Sequence, residues 1–311
     1  ELKSVFVFWI KKGIKVFRVD NPHTKSFNFW EWCILEIKKA YPEIIFLSES
    51  FSRPRIMQGL AKRGFNQSYT YFTWRNNKYE LMEYMQELTK SEMRDYYRPN
   101  FWPNTPDILP YELQSGKENR FIYRYALAAT LSSNYGMYGP VYEQYVNTPI
   151  AGKEEYFYSE KYELKHYDWN KPTRLTEIIK RVNQVRHENI ALQTTWNIAF
   201  CETNNDNLIA YFKYNDDLSN VIFVAVNMNP DGVEHGWIHI PKEILRVGNQ
   251  VDLILDDQMI FERYHWGSDV NFIALDPYKM PFHLCVVKNN QPLKPIEKPV
   301  ITHALRKKIS R

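Results

Sequence analysis

Three carboxylic acids stand at comparable places in the first third of the chain, each just after a short apolar run. Asp20 ends Lys15-Val16-Phe17-Arg18-Val19, and Glu49 ends Ile44-Ile45-Phe46-Leu47-Ser48. Asp107 follows the run closing at Phe101, in the loop Trp102-Pro103-Asn104-Thr105-Pro106. An acid at the end of a buried strand is not a solvated helix charge. Its uses are to meet a ligand or, for Asp20 and Asp107, to cap the next helix. Two carboxyls flanking one bond are what glycoside chemistry needs. One attacks the anomeric carbon and the other, kept protonated, donates to the leaving oxygen; retaining chemistry sets them about 5–5.5 Å apart. Arg18 lies two residues before Asp20 on the same strand, so both side chains share a face. A guanidinium there would hold Asp20 ionised and oriented, although a plain structural salt bridge would leave the same pattern.

The elements that must carry these acids alternate. Short apolar strands are predicted at 14–19, 44–47, 67–72, 96–101 and 135–138. Amphipathic helices are predicted at 2–12, 27–40, 55–62, 78–89, 118–131 and 175–187. The 44–47 run is wholly apolar, as a strand buried on both faces should be. Such alternation predicts βα units and a parallel sheet, and in a barrel of such units the C-terminal strand ends open on one face where catalytic groups gather. From about Gln193 the pattern changes to strands at 208–214, 221–228, 236–240, 251–255 and 282–287. The turn Asn229-Pro230-Asp231-Gly232 lies among them, which predicts a small antiparallel sandwich. The expected organisation is a catalytic unit at 1–192, a β domain at 193–288 and an extended tail at 289–311.

Composition narrows the function classes. The 311 residues are 44% hydrophobic and 24% charged, the balance of a soluble globular protein. The net charge of +4 comes from 40 basic residues dispersed among 36 acids, which gives no reason to favour nucleic acid. No run approaches the roughly 18 apolar residues of a membrane span. Aromatic residues reach 16%, which fits a large core and would also serve sugar stacking. Trp102, Tyr138 and Tyr142 are the candidate platforms, each with a core role as the plainer reading. Cys33, Cys201 and Cys285 are scattered and odd in number, so neither a disulfide framework nor a zinc spacing is suggested, and a reducing cytoplasm fits them. The chain opens at Glu1 without Met or a secretory leader, and the expectation is a fragment.

Longer motifs add a resemblance. Gly13 to Asp20 resembles the strand-four motif of the α-amylase clan, and Phe46 to Phe51 its strand-five motif. Asp107 falls where the clan has its third acid, with Pro106 replacing the usual histidine. Arg98 to Leu109, Val19 to Lys25, Gln67 to Asn76, Ser159-Glu160-Lys161-Tyr162 and Tyr264-His265-Trp266-Gly267 together resemble the maltose-1-phosphate maltosyltransferases, from Leu2 to about Val287. The resemblance implies an α/β fold: strands four to eight of a TIM (β/α)8 barrel, with the first three missing, then an all-β sandwich. It implies retaining transfer of a maltosyl unit from α-maltose 1-phosphate to an α-1,4-glucan, with release of phosphate. Asp20 would be the nucleophile, Glu49 the acid/base and Asp107 the transition-state stabiliser. Arg18 would neighbour the nucleophile, Asn21 would contact phosphate, and Lys161 and Tyr162 would hold the maltosyl unit. No metal or organic cofactor, no nucleic acid and no membrane partner is implied; a cytoplasmic homodimer is. Five barrel strands would leave an apolar edge and face open, so the chain alone is expected to be poorly stable and inactive. Another hydrolase or transglycosylase of the clan, or an inactive glucan-binding fragment, is the alternative.

Overall fold

Residues recurring at helical spacing dominate the first half, and residues alternating in and out dominate the second. The computed structural model describes residues 1–247 and 251–289 and assembles them into a helix-flanked parallel sheet and two antiparallel sheets. The helices are α1 (Leu2–Lys11), α2 (Phe27–Ala40), α3 (Pro54–Ala61), α4 (Lys78–Lys90), α5 (Met93–Tyr96), α6 (Tyr111–Gln114), α7 (Glu118–Leu131), α8 (Arg174–Glu188) and α9 (Lys242–Leu245). Their starts are locally encoded. Ser26 accepts the Phe29 N–H to cap α2, and Asn77 with Glu80 forms a reciprocal capping box on α4.

The parallel sheet runs β1 (Val16–Asp20), β2 (Ile45–Glu49), β3 (Gln67–Tyr69) and β4 (Pro99–Asn100), in that order. Beyond β4 the expected strand at 135–138 reduces to one parallel bridge, Phe101 to Tyr135. There the chain is pressed against an indole: a Cβ on Gly136 would lie 2.2 Å from the Trp102 ring. The expected strand at 67–72 stops early because Tyr71–Trp74 coils into a 3-10 turn. Buried Arg124 holds that turn by donating to the carbonyls of Phe72 and Arg75, 2.6 Å each. The one at 96–101 shrinks because Met93–Tyr96 is helical and Pro99 has no N–H to give the ladder.

One face of β1 and β2 is packed. Phe6 of α1 sits edge-on to Phe17 and Phe46, over a core of Trp30, Cys33, Ile34, Leu60 and Phe65. The other face carries Val16, Arg18, Asp20, Ile45, Leu47 and Glu49. No described element covers its N-terminal end, where Val16 is 49% and Ile45 39% exposed. Strand β2 is therefore not buried on both faces, as its apolar run suggested, and the expected open apolar face is present. On the packed side, helix α1 leaves Leu2, Val5, Phe8 and Trp9 exposed.

The second half forms β5 (Ile198–Phe200), β6 (Glu202–Thr203), β7 (Leu208–Tyr214), β8 (Val221–Asn227), β9 (Glu234–His239), β10 (Leu253–Asp257), β11 (Arg263–Trp266), β12 (Val270–Leu275) and β13 (Phe282–Asn289). Six of them make a sheet in the order β11-β10-β13-β8-β7-β5, and three make β12-β9-β6. Between the sheets lie Ala210, Phe212, Phe223, Ile238, Trp266 and Ile273. The opposite face of the larger sheet, with Ile209, Tyr211, Val224, Phe282 and Leu284, joins the same core as α4, α7 and α8. Lys78 of α4 reinforces that join from a buried position, donating to Thr203 Oγ1 at 2.6 Å and to the Asn205 carbonyl at 3.2 Å. Residues 290–311 of the expected tail lie outside the described residues.

Candidate active site

Register brings the first two acids together. In the β1–β2 pair, Asp20 stands opposite Glu49, at the C-terminal ends of both strands and on the same face. Asp107 arrives from the loop after β4. The Arg18 guanidinium serves all three. Its Nη2 lies against Glu49 and 3.9 Å from Asp107 Oδ2, and its Nη1 is 3.9 Å from Asp20 Oδ2. Although Arg18 and Asp20 share a strand face, the long stem of Arg18 carries its charge across to the acid of the next strand, nearer to it than to Asp20. Neither aspartate caps a helix, since Ser26 caps α2 and Pro110 precedes α6.

The acids differ in surroundings. The Glu49 side chain is 9% exposed against 63% for Asp20 and 43% for Asp107. Burial pushes the Glu49 carboxyl above the usual carboxylate range. The Arg18 hydrogen bond and charge pull it back, while the charges of Asp20 and Asp107 push it further up. A buried acid beside a solvated carboxylate is the division of environments that separates a proton donor from a nucleophile.

Asn21 adopts a left-handed backbone, φ 46° and ψ 49°, and donates its N–H to the Glu49 carbonyl at 3.1 Å, which fixes it beside both acids. Lys161 Nζ is 3.1 Å from Asp107 Oδ1, and Tyr162 follows it, largely exposed. Asp107, Glu154, Tyr156, Ser159, Lys161 and Tyr162 line a cleft of about 330 Å³. Asp20 and Asn21 open instead on a neighbouring groove of about 340 Å³, with Thr24, Phe29 and Trp30. Of the aromatic candidates, Trp102 packs tilted against Tyr69, with ring centroids 4.8 Å apart. Tyr138 is half-buried and hydrogen-bonds Glu160. Tyr142 is fully buried and donates to the Phe121 carbonyl, so it is core and no platform.

Two features escaped the sequence reading. Tyr69 ends β3 and its hydroxyl faces Arg18 and Glu49; only its place at a strand end could have pointed to it, because a tyrosine in an apolar run reads as core. His23 Nδ1 contacts Ser50 Oγ at 3.0 Å, and Ser50 contacts Ser52 at 2.8 Å, forming a polar chain directly behind Glu49. The described residues able to hold a metal ion are elsewhere, at Asp257, His283 and Cys285. No described helix is long and apolar enough to cross a membrane.

Known proteins resemble the chain in sequence and in fold. Residues 200–287 match the family described as "GLGE, C-terminal". The chain is 48% identical over 289 residues to the α-1,4-glucan:maltose-1-phosphate maltosyltransferase of Chlorobaculum tepidum, covering 91% of this chain and 43% of that protein. It is 50% identical over 285 residues to the protein of the same name from Methylacidiphilum infernorum, with the same coverage. The chain thus spans less than half the length of these curated relatives. Among solved structures it matches the Geobacillus thermoleovorans α-amylase complexed with acarbose, with a TM-score of 0.71 at 14% identity over 91% of this chain and 62% of that one. An Anoxybacillus α-amylase matches with a TM-score of 0.72 at 13% identity over 94% and 63%. At such identity these two show a shared fold.

Proposed function

We propose that the chain is part of an α-1,4-glucan:maltose-1-phosphate maltosyltransferase, as its 48–50% identity to two proteins of that name supports, and that its three acids transfer a maltosyl unit from α-maltose 1-phosphate to the non-reducing end of an α-1,4-glucan, with phosphate released and configuration retained. Asp20 attacks the anomeric carbon and forms a β-maltosyl-enzyme. Glu49 protonates the departing phosphate oxygen, then takes the proton of the acceptor 4-hydroxyl as that oxygen displaces Asp20. Asp107 hydrogen-bonds donor ring hydroxyls as positive charge develops. Asn21 contacts the phosphate, and Lys161 and Tyr162 hold the far part of the donor across the cleft they share with Asp107.

The observation that carries this reading is the single Arg18 guanidinium within reach of all three acids at the ends of parallel strands. In the same reading, residues 1–192 are strands four to eight of a (β/α)8 barrel and 193–288 its β domain. The complete enzyme is a cytoplasmic homodimer that needs no metal or organic cofactor for the transfer. The test is incubation of the complete enzyme with α-maltose 1-phosphate and glycogen while phosphate is measured. Phosphate release matched by glucan growth is expected, and a clan hydrolase or a transglycosylase of unphosphorylated glucan would give none.

A further inference from the structure

Strands β10 and β13 bring together three side chains that the sequence keeps apart. Asp257 pairs in register with Cys285, and His283 lies two residues earlier on β13, hence on the same face. His283 Nδ1 is 2.6 Å from Asp257 Oδ2, and Cys285 Sγ is 3.8 Å from the same oxygen. The carboxylate is wholly buried. Its other oxygen accepts the backbone N–H groups of Met259 at 2.7 Å and Ile260 at 3.2 Å, so Oδ2 is fixed toward the imidazole and the thiol. One ligand atom from each residue lies within 4.8 Å of the others. His283 and Cys285 line a cavity of about 590 Å³ between the two antiparallel sheets, with Glu262 at its rim.

We propose that Asp257, His283 and Cys285 bind a borderline-soft divalent cation of the zinc(II) type, at a structural site separate from the transfer chemistry. One carboxylate, one imidazole and one thiolate are the ligand classes such an ion accepts, whereas the hard cations calcium and magnesium take oxygen throughout. Metal–ligand bonds of about 2.0–2.3 Å at tetrahedral angles set the ligand atoms roughly 3.3–3.7 Å apart. The sulfur–oxygen spacing is already near that range. The nitrogen–oxygen spacing must open, which a turn of the His283 ring toward the cavity supplies while the buried carboxylate stays fixed. Cys285 gives up its thiol proton to solvent on binding, so thiolate and carboxylate neutralise the dication. The cavity admits a water as fourth ligand. The bound ion ties β10 to β13 across the larger sheet.

The test uses the full-length protein, stripped with a chelator and titrated with zinc(II) against a chromophoric competitor, and separately with cobalt(II) for its absorption spectrum. One zinc per chain is expected, with affinity falling by about a hundredfold or more in Cys285→Ser and in His283→Ala. The cobalt protein is expected to show a sulfur-to-metal charge-transfer band that Cys285→Ser abolishes. Circular dichroism establishes that each variant is folded. Should a variant not fold, the wild-type cobalt spectrum decides alone. A wild-type protein that retains no stoichiometric zinc, a folded Cys285→Ser protein with unchanged affinity, or a cobalt spectrum without the sulfur band overturns the proposal.

Discussion

Asp20 and Glu49 are register partners on neighbouring parallel strands, yet the arginine on the strand of Asp20 lies closest to Glu49. That cross-strand reach leaves one acid solvated and the other buried against a cation, and the behaviour of the site follows from the contrast.

Glu49→Gln keeps the shape and removes the titrating proton. In the proposed transfer the leaving phosphate, with a second pKa near 6, needs only modest help, so the loss should fall mainly on the acceptor step. We expect turnover to drop by roughly 10²- to 10⁴-fold and a maltosyl unit to accumulate on Asp20. Intact-protein mass spectrometry after mixing with donor checks this, and Asp20→Asn should show no adduct at all.

The direction of the Glu49 shift sets a pH dependence. Its carboxyl is raised, so the protonated form from which the proposed cycle starts is lost as pH rises through that raised value, and the alkaline limb of kcat/KM should report it. Arg18 pulls the other way, so Arg18→Gln should move the limb to higher pH while lowering the maximum. The linkage to stability has the same sign. Glu49 favours the folded state at pH values below its unfolded pKa, and that contribution fades as pH climbs through the raised folded one. Urea unfolding across this window should lose the slope in Glu49→Gln.

Lys161 meets Asp107 from an exposed position, so its removal should act on donor binding more than on chemistry. Lys161→Ala is expected to raise KM for α-maltose 1-phosphate by about tenfold, with kcat changed less. Initial rates against donor concentration separate the two.

Gly136→Ala tests the packing beneath the site. The added methyl would overlap the Trp102 ring, which must shift and disturb the Tyr69 ring packed against it. A stability loss of about 1–3 kcal/mol is expected from overpacking, together with lower kcat/KM, because Tyr69 faces Arg18 and Glu49. Chemical denaturation alongside the transfer assay checks both effects.

The open sheet face bears on the 311 residues taken alone. Exposed Val16 and Ile45 predict weak solubility and no measurable maltosyl transfer from the isolated chain. Val16→Thr with Ile45→Thr should raise the soluble yield without restoring activity.

Much of this was legible in the sequence where a local rule was strong. The start of α2 follows from its Ser26 cap, the extent of α7 from periodicity, and β7 from a nearly continuous apolar run. Asp20, Glu49 and Asp107 were legible because acids after apolar strands are hard to explain otherwise. What long-range contacts decide was not. Arg124 cuts β3 short from a helix some fifty residues downstream. Arg18 chooses Glu49 only once two strands are in register. Strands β6 and β12 alternate weakly or are too short to announce themselves, and the Asp257–His283–Cys285 cluster has no spacing because its members meet only through sheet pairing.

The buried lysine on α4 carries an evolutionary corollary. Its ammonium is solvated by the backbone and hydroxyl of a strand more than a hundred positions away, and the aliphatic interior runs through the same junction. The two halves are therefore poor candidates for exchange as interchangeable cassettes. A chimaera taking its trailing half from a distant relative would strand that cation in a dry seam unless the recipient turn were transplanted with it, so descent in this lineage should favour inheritance of both parts together.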